Sequence, residues 1–123
     1  LAEVLRLSPE NVNASLLIAI ADEKDGRPQE ALDRLNVLLQ AHPDEVQALL
    51  LRADIEAGFG RFEAARIDYD TAIRLAPHQA ELYVRRAFVL LRCGAKGAAR
   101  KDLDEAVRRG IPRATLRSLY EEL

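Results

Sequence analysis

Gly26, Gly60 and Gly94 stand 34 residues apart. Pro9, Pro43 and Pro77 keep the same interval, and Pro112 follows after 35. Seven residues before each glycine is Ala19, Ala53 or Ala87, and five after is Ala31, Ala65 or Ala99. Nine after come Leu35, Tyr69 and Leu103, and twelve after come Leu38, Ala72 and Ala106. An interval kept at so many positions in three copies constrains the chain to a stack of equal units, each leaning on the next.

Each unit reads as two helices. Apolar residues fall at three- and four-residue steps in "NASLLIAIADEKDG" and "FEAARIDYDTAIRL", and strand alternation is absent. The glycine sits just past the first helix, where a left-handed residue closes a helix end. The proline is expected to open the next helix, where its missing N–H costs nothing, with Ser8 as a cap. Glu10, Asp44 and Glu45 follow two of the prolines and suit the positive end of a helix dipole. The alanines of the first helix should face those of the second, so that the axes approach closely.

The 123 residues suffice for one modest domain, and 49% apolar with 31% charged residues describes a globular, soluble chain. A net charge of −2 predicts no strong field for nucleic acid or membrane. No apolar run approaches the roughly 20 residues of a membrane span. The chain starts at Leu1 and has no methionine, so a trimmed piece of a longer protein is expected.

The period and the residues that keep it resemble the tetratricopeptide repeat, a helix–turn–helix unit. The second copy matches best, through Leu49, Ala53, Gly60, Phe62, Ala65, Tyr69, Ala72 and Pro77. The resemblance implies an all-α fold: an α-solenoid of antiparallel helix pairs wound into a right-handed superhelix of about seven to eight helices. It divides one domain into residues 1–9, the end of a preceding repeat, three repeats at 10–43, 44–77 and 78–111, and a terminal helix at 112–123. The first copy departs at Ser15 and Pro28, where the family prefers large residues, and the third at Lys96.

One pair co-varies between copies. Arg52 and Asp68 flank Gly60 by eight residues on either side, and Arg86 and Asp102 flank Gly94 alike. In the first copy both change, to Ile18 and Arg34. An ion pair between the two helices of repeats two and three is expected.

No catalytic constellation is present, and the chain is read as no enzyme, without cofactor or metal. His42 and His78 neighbour prolines in turns, Cys93 is alone, and the glycines serve turns rather than a phosphate loop. Residues 85–117 are rich in arginine and lysine, but no aromatic residues interleave to stack bases. A solvated mixed-charge surface is expected there, and no nucleic acid.

In the family, the first helices line a concave wall where peptides lie. The corresponding residues are Asn13, Leu16, Ile20 and Glu23, then Gln47, Leu50, Asp54 and Ala57, then Glu81, Val84, Arg85, Phe88 and Leu91. Many are apolar, and such a stripe marks a binding surface. The resemblance thus implies a scaffold, part of a larger protein, that binds a protein or peptide partner in this groove. The alternative is a structural or oligomerisation module whose groove is filled by its own chain, a neighbouring domain or a second copy, including a homodimer through Leu50 and Phe88. A subtype of the family clamps the C-terminal carboxylate of heat-shock chaperones with Lys, Asn and Arg. Its places here read Leu16, Ile20, Leu51, Glu81 and Arg85, so that only Arg85 fits. Abundant Ala, Leu and Arg suit a bacterial source, and a cytoplasmic location is preferred to a periplasmic one.

Overall fold

The structure, a computed structural model, describes residues 9–123. Six helices of thirteen to sixteen residues alternate with short turns: α1 (Pro9–Lys24), α2 (Pro28–Ala41), α3 (Val46–Gly58), α4 (Phe62–Leu75), α5 (Ala80–Arg92) and α6 (Lys96–Arg108). A 3₁₀ turn (Arg113–Leu116) and a short α7 (Arg117–Glu121) follow. Among the described residues there is no strand. Ser8 and the expected end of a preceding repeat lie outside the described residues, apart from Pro9.

The helices pair as the period requires. Within hairpins, α1 packs on α2, α3 on α4 and α5 on α6; between hairpins, α2 packs on α3 and α4 on α5. Ala19, Ala53, Ala87, Ala31, Ala65 and Ala99 are wholly buried. Leu35, Tyr69 and Leu103 are buried beside them. One continuous core therefore runs the length of the stack.

The turns explain the glycines. Gly26, Gly60, Gly94 and Gly110 have φ between 78° and 114°, the left-handed region. After Gly60, the Arg61 N–H returns to the Glu56 carbonyl at 2.9 Å, and Ala95 N–H reaches Leu90 carbonyl likewise at 2.9 Å. These six-to-one bonds satisfy carbonyls that the helix end would leave free. Pro9 opens α1 as expected, but the next two prolines differ. Pro43 and Pro77 do not open helices: each lies in the turn before one, and α3 and α5 start three residues later. They stop the preceding helix, since a proline cannot continue it. Pro28, which departs from the family pattern, is the first residue of α2, where no N–H is needed.

The expected ion pairs are present. Arg52 Nε and Nη2 reach Asp68 Oδ2 and Oδ1 at 2.7 and 2.8 Å. Arg86 engages Asp102 through the same atoms at 2.8 Å each. In the first hairpin Arg34 faces the buried Asp22 instead, at 3.6 Å, while Ile18 is exposed. Each arginine also reaches back one hairpin. Arg52 Nη1 donates to Asn36 Oδ1 at 3.0 Å, and Arg86 Nη1 donates to Asp70 Oδ1 at 3.1 Å. Tyr120 continues the series, its hydroxyl donating to Asp104 Oδ1 at 2.7 Å. Tyr120 stands 34 residues after Arg86, so α7 takes the place that a following first helix would hold.

Candidate functional site

The first helices adjoin along one side of the stack. α1 touches α3, and α3 meets α5 through Arg85 Nη1 and Asp54 Oδ2 at 3.1 Å. The other oxygen of Asp54 accepts a short hydrogen bond from the Tyr69 hydroxyl of α4. The terminal segment extends the same side, because Arg92 at the end of α5 pairs with Glu122 at 2.9 Å. One side of the stack is therefore formed by α1, α3, α5 and the segment after Pro112.

The sequence-derived wall residues fall into three groups. Asn13, Glu23, Gln47, Asp54, Glu81 and Phe88 are exposed, and Leu16, Ile20, Ala57, Val84, Arg85 and Leu91 are half-buried. Leu50 alone is a correction: only 6% of it is exposed, within a buried run from Ala48 to Leu50. Leu50 lies on α3, which is packed by α1, α2 and α4. Leu50 belongs to the core, and its substitution reports on folding rather than on binding.

Electrostatics follow from pairing. Burial raises the Tyr69 hydroxyl above the ordinary tyrosine value, and the bond to Asp54 raises it further. The bidentate contact with Asp68 raises Arg52 against the opposing effect of burial, so that side chain stays charged. Six of the ten basic residues in the stretch 85–117 hold carboxylates, namely Arg85, Arg86, Arg92, Arg108, Arg109 and Arg113, with Arg108 and Arg109 sharing Glu105. Arg92 also lies over the Phe88 ring, 4.7 Å from its centroid. Cys93 is exposed, and partial burial followed by Glu63 raises its thiol. No cluster of three His, Cys, Asp or Glu able to hold a metal occurs among the described residues. Nor is any described helix long and apolar enough to cross a membrane.

The family model described as tetratricopeptide repeat matches residues 16–80, more than half of the chain. The chain belongs to the tetratricopeptide repeat family. A comparison with curated proteins gives no match. Among solved structures, the first tetratricopeptide repeat domain of Spaghetti (RPAP3), bound to the HSP90 peptide SRMEEVD, is similar with a TM-score of 0.83 at 20% identity, over 94% of this chain and 95% of that one. The TPR2B domain of yeast Sti1, in a complex with an Hsp70 peptide, gives 0.79 at 20% identity over 90% and 94%. The Yersinia enterocolitica type III secretion translocator chaperone SycD gives 0.82 at 15% identity over 94% and 92%. At these identities the likeness is one of fold, an all-α solenoid.

Residues beyond the last repeat also reach this side of the stack, which the repeat period does not predict. Ile111, Thr115 and Leu116 join Glu81, Val84 and Arg85 around one pocket between α5 and the terminal segment. The signal available was Tyr120, one period after Arg86, which sets the terminal segment in first-helix register.

Proposed function

We propose that this tetratricopeptide array is a non-catalytic scaffold whose inner wall binds a segment of another protein through apolar anchors. The observation that carries this reading is Phe88, 37% exposed on α5. Its helix-face neighbours are Val84, Arg85, Leu91 and Arg92, of which Val84 and Leu91 are apolar and half-buried. Exposed apolar residues on the second helices lack such company. Ile67, 58% exposed, has Glu63, Ala64, Asp70 and Thr71 as its helix-face neighbours. Isolated apolar residues are ordinary surface, whereas a contiguous strip is a docking surface. The peptides named in the RPAP3 and Sti1 structures support the general mode of recognition. They do not carry over as ligands, because Leu16, Ile20, Leu51 and Glu81 replace the polar and basic groups of a carboxylate clamp. A dimer through Leu50 and Phe88 loses support, since Leu50 is in the core.

Peptides selected from a displayed random library on the whole chain provide the test. Phe88→Ser should weaken their binding about tenfold or more, while Ile67→Ser leaves it unchanged. Loss with Ile67→Ser and not with Phe88→Ser would move the site to the outer face.

A further inference from the structure

A pocket of about 340 Å³ lies between α5 and the terminal segment, lined by Glu81, Val84, Arg85, Ile111, Thr115 and Leu116. Its charge depends on which groups are already engaged. Arg85 is tied to Asp54 at 3.1 Å, so its charge is matched within the fold. Glu81 is exposed and has no ion pair or hydrogen bond among the described residues. Asp54, Arg85 and Glu81 together leave one negative charge in excess. Thr115 spends its hydroxyl proton on the Pro112 carbonyl at 2.7 Å, which leaves its oxygen as an acceptor. The remaining lining is aliphatic, with Val84 and Ile111 half-buried and Leu116 buried.

We infer that this pocket receives one lysine or arginine side chain of the bound segment. The methylene stem lies along Val84, Ile111 and Leu116, and the cationic head meets the Glu81 carboxylate, with Thr115 Oγ1 as a second acceptor. An apolar occupant would desolvate Glu81 without replacing its hydrogen bonds. A carboxylate would meet Glu81 as a like charge and would compete with Asp54 for Arg85. The selected segment is therefore an apolar anchor at Phe88 with a basic residue toward the terminal segment. This rests on the inner-wall reading and adds the chemistry of one subsite to it.

The probes are the peptides recovered from the random library, each resynthesised with single Lys or Arg residues replaced by norleucine. The expected result is that recovered peptides carry a basic residue whose replacement weakens binding about tenfold on the unmodified chain. On Glu81→Gln, the same replacement should change binding less than about twofold, because the partner charge is already gone. Additive losses, or recovered peptides with no basic residue, would overturn the pocket assignment. Phe88→Ser separates the two levels. If it weakens binding while Glu81→Gln does not, the pocket falls and the inner wall stands. If it leaves binding unchanged, or if no peptide is recovered, the inner-wall reading falls and takes the pocket with it. A thermal melt of Glu81→Gln equal to that of the unmodified chain excludes a folding effect, which an exposed glutamate should not produce.

Discussion

Gly60 has a φ of +80° and open space where a Cβ would stand. The cost of a side chain there is purely conformational, and Gly60→Ala should destabilise the fold by about 1 kcal/mol in urea denaturation. Gly97, in the first turn of α6, also has open space but no positive φ. Gly97→Ala should stabilise by about 0.5 kcal/mol, and equal signs at the two sites would refute the assignment of left-handed strain. Tyr69 supplies a pH dependence. An unfolded tyrosine ionises near pH 10, while burial and Asp54 keep Tyr69 protonated in the fold beyond that point. The folded state then holds more protons, so stability present below about pH 10 declines as pH rises further. Tyr69→Phe should flatten that decline in denaturation curves recorded at about pH 9.5 to 11.5, and identical slopes would remove Tyr69 from the account. At this scale the sequence was informative where chemistry is local. A glycine at a fixed interval announces its own φ. Leu50 was misplaced because a period gives the direction of a side chain, while its burial depends on how many neighbouring helices close over it.

The cross-helix arginines belong to the scale of elements. Arg52 holds Asp68 in its own hairpin and Asn36 in the preceding one, and Arg86 repeats this with Asp102 and Asp70. Asp68 is only 7% exposed at its side chain while Arg52 is 28% exposed, so solvent screens the pair incompletely. A double-mutant cycle with Arg52→Gln and Asp68→Asn should show a coupling of about 1–2 kcal/mol, and a coupling near zero would make the contact incidental. Half of this network was legible, because Arg and Asp change together within a hairpin. The other half was not read. Asn36, Asp70 and Asp104 also recur at 34 residues, but asparagine and aspartate at one surface position look like ordinary solvated residues until a neighbouring hairpin is laid beside them. The prolines show the same limit: their interval marked the repeat, yet whether each ends one helix or starts the next is decided by the turn between them.

For the whole molecule, the period sufficed to specify a solenoid, since no helical hairpin of this length buries its apolar faces alone. The side formed by the first helices followed from the same pattern, but the pocket at its end did not. That pocket is made by residues past the final full repeat, where periodicity gives little guidance. On the proposed reading, Phe88, the half-buried aliphatic residues beside it and the exposed Glu81 set what this side binds. The most direct measurement is a methyl NMR footprint of a selected peptide on the whole chain. Shifts should concentrate at Leu16, Ile20, Val84, Leu91 and Leu116, with Val37, Ile67 and Leu75 undisturbed. A footprint centred on Val37, Ile67 and Leu75 would contradict it.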